Sequence, residues 1–161
     1  MRLKTLEIFG FKSFPHRTRV DFGPGISAIV GPNGCGKSNV CDAIRWALGE
    51  QSAKTLRGGV MEDLIFNGTA DTPAQSLADV TLTFADCELE DGTSGELVIS
   101  RRMYRSGESQ YYVNNRPVRL KDVRAIFADT GLGKASYAVI EQGTISSLVQ
   151  SKADDRRVIF E

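Results

Sequence analysis

The sequence predicts an α/β fold, and three observations carry that prediction. A short apolar run, Gly25-Ile26-Ser27-Ala28-Ile29-Val30, flows directly into the glycine-rich stretch Gly31-Pro32-Asn33-Gly34-Cys35-Gly36-Lys37-Ser38. Residues 38–49 then switch to helical period, with Val40, Ile44, Ala47 and Leu48 on one stripe and Asn39, Asp42 and Arg45 off it. Further on, Val80, Leu82 and Phe84 alternate with threonines, the pattern of an antiparallel, half-exposed sheet.

Each element can be justified in chain order. Residues 3–9 and 17–22 place polar residues between apolar ones and read as strands. The run 25–30 is short and nearly all apolar, as a strand buried on both faces would be. The helix that follows has a stop signal at Gly49, and Trp46, just off its stripe, is expected to pack within the domain. Residues 50–76 break into polar and glycine-rich loops, including Leu56-Arg57-Gly58-Gly59 and Asn67-Gly68. Strands resume at 78–85, 96–104 and 109–113, and Asn114-Asn115 turns the chain into a short strand at 116–118. A helix near 120–127 leads to the loop Asp129-Thr130-Gly131-Leu132-Gly133. From about 153 the chain is charged and helical in character, and its pattern is unfinished at Glu161, which suggests a fragment.

Composition excludes more than it assigns. A chain of 161 residues suits one domain with a real core. Twenty basic residues balance twenty acidic ones, so no global field attracts nucleic acid or an anionic membrane, and any DNA contact must be local. Three cysteines, an odd number without a CxxC pair, and a single histidine offer no metal cluster and fit a reduced, cytoplasmic setting. The first residues alternate and include an acid, unlike a signal peptide, and no run of about 18 apolar residues could span a membrane.

The spacing Gly-x4-Gly-Lys-Ser at 31–38 has a physical rationale. Glycines let backbone N–H groups close around a phosphate without side-chain clash. The following helix offers the same anion its unpaired N–H groups and the positive end of its dipole. Lys37 is placed to reach β- and γ-phosphates, the Ser38 hydroxyl to ligate Mg²⁺, and the Asn33 amide to touch the γ-phosphate. By chance the pattern arises in roughly one chain in a hundred of this length, and the strand before and helix after make coincidence rarer still. The expected ligands are therefore ATP and Mg²⁺.

Hydrolysis needs an acid for the metal, usually at the end of a second buried strand, and a group to position water. Only poor substitutes occur: Asp86 ends an alternating strand, Asp129 follows a helical segment, and Glu141 follows Tyr137-Ala138-Val139-Ile140 without a preceding Asp.

Beyond the loop, ordered motifs carry a resemblance: Gly10-Phe11-Lys12-Ser13-Phe14, Val30 to Asn39, Asp42-Ala43-Ile44 and Gly49-Glu50-Gln51-Ser52. Leu56-Arg57-Gly58, Phe66-Asn67-Gly68, Asp129 to Gly133 and Ile140-Glu141-Gln142-Gly143 continue it. Together they resemble the start of bacterial SMC (structural maintenance of chromosomes) ATPases, over essentially the whole chain. Cys35 departs from the usual serine at a position that offers mainly backbone to phosphate.

The resemblance implies an ABC-type half-domain with a mixed core sheet and an antiparallel β subdomain. It implies an N-terminal head lobe over 1–152, and over 153–161 the start of a helix leading into a coiled coil. The Walker B acids, signature motif and switch histidine would come from the C-terminal half of the same head. The further partners implied are a second protomer in a homodimer, DNA and kleisin-type accessory subunits, in a cytoplasmic, nucleoid-associated protein.

By the same resemblance, ATP contacts are implied for Lys12, Ser13, Pro32, Asn33, Gly34, Cys35, Gly36, Lys37, Ser38 and Asn39. Ser38 and Gln142 would hold Mg²⁺, Gln142 also sensing the γ-phosphate, and Arg57 would act in DNA-stimulated hydrolysis. Met61 to Phe66 offer side chains for the adenine. Arg101, Arg102 and Arg105, with Tyr104, Tyr111 and Tyr112, could hold a nucleic-acid backbone or could form an ordinary charged sheet edge. A recombination or repair ATPase with the same head plan is the nearest alternative. A nucleotide kinase or GTPase would need a base-reading or lid motif that does not appear, and a module holding ATP as a structural ligand is the third.

Overall fold

The computed structural model describes residues 1–88 and 94–129. Within them, β1 (Arg2–Phe9), β2 (Thr18–Asp21), β3 (Leu77–Glu88), β4 (Ser94–Tyr104), β5 (Ser109–Val113) and β6 (Arg116–Val118) form one antiparallel sheet. Its strand order is β2-β1-β3-β4-β5-β6. Two helices, α1 (Lys37–Ala47) and α2 (Leu120–Asp129), and a 3-10 turn at Met61–Leu64 complete the described elements.

Register and the two-residue side-chain period set the core. Leu6, Leu82, Ile99 and Val113 line up across four strands, and Ile8, Val80, Arg101, Tyr111 and Val118 form the next row. That face is covered by Val40, Ala43, Trp46 and Ala47 of α1 and by Val123 and Phe127 of α2. Phe127 meets Phe84 edge-on, ring centroids 5.8 Å apart. The other face carries the half-buried Thr81, Thr83, Ser100 and Tyr104, which is why these strands alternate in sequence.

The α/β class holds, with one correction of detail. The buried strand expected at 25–30 lies outside the sheet, and Ile26, Ile29 and Val30 are exposed. A ladder needs a free neighbour. β1 is already flanked by β2 and β3, and the edge beyond is β2, only four residues long. The described part of the expected mixed sheet is thus its antiparallel component.

The predicted stop of α1 is a Schellman ending. Gly49 adopts φ 104°, its N–H donates to Trp46 O at 3.1 Å, and the Glu50 N–H donates to Arg45 O at 3.1 Å. Arg101 reinforces it from the sheet. Its Nη1 donates to Trp46 O (2.9 Å) and Glu50 O (2.7 Å), and its Nε to Ser109 Oγ (3.1 Å). The guanidinium lies between the Trp46 and Tyr111 rings, at 4.7 and 4.8 Å. Burial pushes its pKa down to about 10.

These placements correct the sheet-edge reading of the basic strand. Arg101 is buried, because β4 is an interior strand and not an edge. Arg102 pairs with Asp79 at 2.6 Å, which raises its pKa. Arg105 donates to Gln75 O (2.7 Å), Phe66 O (3.0 Å) and Asn67 Oδ1 (2.9 Å). All three serve the domain's own packing.

Candidate functional site

The glycine-rich loop wraps the start of α1. Gly34 and Gly36 take φ 83° and 91°, a region that penalises any side chain. A Cβ at Gly36 would also sit 2.6 Å from Ser13 Oγ, so this backbone needs glycine on two counts. The helix has no side-chain N-cap and no acid in its first turn, so its positive end is left for an external anion.

Lys37 arches over the loop, its Nζ donating to Gly31 O (2.8 Å) and Pro32 O (2.5 Å). It also donates to Cys35 Sγ at 3.8 Å. Pro32, Asn33, Gly34, Cys35 and Ser38 are exposed around it. A glycine cradle, an uncompensated helix start and a lysine within reach form an arrangement able to hold a phosphate, and Ser38 stands exposed beside it.

A second layer gathers residues far apart in sequence. Lys12 sits at φ 48° on the turn after β1, held where the Lys12 N–H donates to Leu64 O at 2.7 Å and the Phe66 N–H to Gly10 O at 2.8 Å. Phe11, fully buried, stacks obliquely on Trp46 at 5.2 Å and anchors that turn on α1. Arg57 sits at φ 57° in a turn closed by the Arg57 N–H to Lys54 O at 2.9 Å and the Gly58 N–H to Ala53 O at 2.8 Å.

Both cations converge on Asp42 of α1. Lys12 Nζ donates to Asp42 Oδ2 and to Leu56 O. Arg57 donates to the same Oδ2 through Nε (3.2 Å) and Nη2 (2.5 Å), and to Asn39 Oδ1 at 3.3 Å. The Asn39 amide in turn donates to Ser13 Oγ at 2.8 Å. Lys12, Ser13, Asn39 and Arg57, expected at the site, are thus linked at the start of α1.

Asp42 is the member that sequence reasoning placed wrongly. It is 4% exposed, although helical period put it off the buried stripe. α1 is covered on one side by the sheet and on another by the 10–14 turn and Leu56, so its buried arc is wider than one stripe. The available signal was its spacing of three from Asn39, which stacks the two on one helix face.

Other expectations fall elsewhere. Leu64, Ile65 and Phe66 turn into the core, so they do not offer an adenine surface, and Trp46 is wholly buried as expected. Asp86 is exposed at a β3 bulge, 3.6 Å from Arg2, and Asp129 ends α2. Glu141, Gln142 and residues 153–161 lie outside the described residues.

Fold and site together define a nucleotide-binding domain of the phosphate-loop class. A family model described as RecF/RecN/SMC N terminal domain matches residues 2–137, and the chain belongs to that family. The chromosome partition protein Smc of Bacillus subtilis is 53% identical over 162 residues, which include all of this chain and 14% of that protein.

A structure solved in work on ATP-driven dimerization and DNA stimulated activation of SMC ATPases matches with a TM-score of 0.91 at 34% identity. It covers 99% of this chain and 98% of that one. An Smc head bound to the C-winged helix domain of ScpA matches with a TM-score of 0.86 at 33% identity, over 94% of this chain and 48% of that one. The recombination mediator RecF, at 22% identity and a TM-score of 0.56, shares the fold alone. The N-terminal part of the SMC head is therefore the structural counterpart of this chain, which spans about one seventh of the B. subtilis relative's length.

Proposed function

We propose that this chain binds ATP with Mg²⁺ as the N-terminal half of an SMC head, residues 1–152 forming the lobe and 153–161 starting the helix toward a coiled coil. The observation that carries the reading is the convergence of Lys12, Ser13, Asn39 and Arg57 on the glycine-lined start of α1. Pro32 to Ser38 would cradle the phosphates, Lys37 would neutralise them, and Ser38 with Gln142 would hold the metal. Mg²⁺, when bound, would supply positive charge toward the phosphates.

The exposed Ile26, Ile29 and Val30 support a lobe completed by the C-terminal half of the same head. In the whole protein, ATP would join two heads of a homodimer and hydrolysis would part them, driving chromosome condensation and segregation on DNA. ATP-driven dimerization and DNA stimulation of one matched head, and ScpA binding by another, favour such a cycle with a kleisin-type subunit. The setting would be cytoplasmic and nucleoid-associated; no described helix is long and apolar enough to cross a membrane.

The test is ATP hydrolysis by this chain alone, with Lys37→Ala as background, repeated with the protein's C-terminal segment added. Turnover only after the addition is expected, because Walker B and signature groups would enter with that segment. Turnover by the chain alone above background would place the catalytic acid here and overturn the half-head assignment.

A further inference from the structure

We infer that Asp42 is the positioning residue of this site: a fixed counter-ion for Lys12 and a reversible one for Arg57, which bound phosphate can draw away. The inference rests on the nucleotide-binding reading above.

A carboxylate this deeply buried needs a cationic partner, and a charge stranded without one is strongly disfavoured. Asp42 has two, and they are unequal. The Lys12 side chain is 12% exposed and also held by Leu56 O, whereas the Arg57 side chain is 53% exposed. Two cations on one anion leave a net positive charge. If Arg57 departs, the Lys12–Asp42 pair remains neutral and still paired. If Lys12 were lost, the buried carboxylate would rely on a half-exposed partner.

Backbone geometry agrees. Lys12 and Arg57 are both non-glycine residues at positive φ, a conformation that persists where surrounding structure imposes it and that gathers at functional sites. Arg57 is followed by Gly58-Gly59, which lets its turn re-form at low steric cost. From Asp42 the guanidinium also reaches Asn39, whose amide holds Ser13, and Ser13 Oγ lies against Gly36 of the loop. Arg57 therefore rests beside the phosphate cradle, on a partner it can leave. A guanidinium suits the exchange because carboxylate and phosphate present it similar paired oxygens.

The experiment is a double-mutant cycle in the full-length protein, reading the Kd of a fluorescent ATP analogue with Mg²⁺. Asp42→Asn should tighten binding by roughly two- to fivefold, the scale of one half-exposed ion pair, and most of that gain should vanish in the Arg57→Ala background. Unchanged or weaker binding, or an equal change in both backgrounds, would overturn the inference.

If Asp42→Asn does not fold, thermal unfolding of Lys12→Met and Arg57→Met decides. Lys12→Met should lower Tm distinctly more, and an equal or opposite order would overturn the assignment. Lys37→Ala separates the two levels. Its binding nucleotide like the wild type would remove the nucleotide site itself, whereas loss of binding in Lys37→Ala with a silent Asp42→Asn would remove only the role of Asp42.

Discussion

Replacing Arg101 by methionine keeps a long side chain in the core but removes the guanidinium. Its contacts are hydrogen bonds to Trp46 O and Glu50 O, another to Ser109 Oγ, and two aromatic faces within 5 Å. Charged hydrogen bonds contribute roughly 1.5–3 kcal/mol each and a desolvated cation–π contact about 1–2. Against them stands dehydration, which pulls the pKa down to about 10 and costs on the order of 3 kcal/mol. Methionine restores about 2 kcal/mol of apolar burial but leaves Glu50 O without its donor.

Taken at the low end of each range, the net loss should be about 2–4 kcal/mol, a fall in Tm of roughly 4–16 °C for a chain of this size. Trp46, the only tryptophan, reports the transition by fluorescence, with circular dichroism as the control. Arg101→Lys should fall between, because an ammonium lacks the planar fork. A methionine variant as stable as the wild type would show that dehydration outweighs the contacts and would refute the reasoning.

Gly36→Ala should weaken ATP binding by roughly tenfold, since left-handed backbone costs a side chain about 1–2 kcal/mol before the Ser13 clash is counted. Adding Ser13→Ala should recover only part of the loss, as judged by nucleotide titration. A thiol reagent should label exposed Cys35 and Cys41 quickly and buried Cys87 only on unfolding, with MgATP shielding Cys35 the more strongly. Burial raises the Cys87 pKa above 9.0, so its stabilising effect is complete below pH 9 and fades as pH climbs toward the raised value. Above pH 9 the wild type should therefore lose stability relative to Cys87→Ala, and parallel pH profiles would contradict this.

Where one period governed burial, sequence and structure agree. The threonine alternation of β3, the glycine stop of α1 and the spacing of the phosphate loop were all legible. Arg101 was not, because two signals conflicted there. Its parity with Leu97, Ile99 and Met103 pointed inward while its charge pointed outward, and parity prevailed because the end of α1 supplies carbonyls to receive it. The roles proposed for Lys12 and Arg57 were visible only through family resemblance. Their approach to Asp42 depends on two turns at positive φ, which nothing local in a non-glycine residue announces. The run 25–30 is apolar, but apolar character alone does not make strand pairing, and Ile26, Ile29 and Val30 stay exposed outside the sheet.

α1 unites these observations. Near its start Asp42 and Asn39 bind the 10–14 and 53–58 turns, and at its end Arg101 and the Schellman glycine bind it to β4. The electrostatics are asymmetric in the same sense. A buried cation sits against the carbonyls at the negative end of the dipole, while the positive end carries no acid and no cap. A helix compensated at both ends would be a stable strut with nothing to offer a ligand. Compensated only at its C-terminus, α1 is held rigid by the sheet while its other end keeps an unmet preference for negative charge, where the glycines of the loop leave room for phosphate.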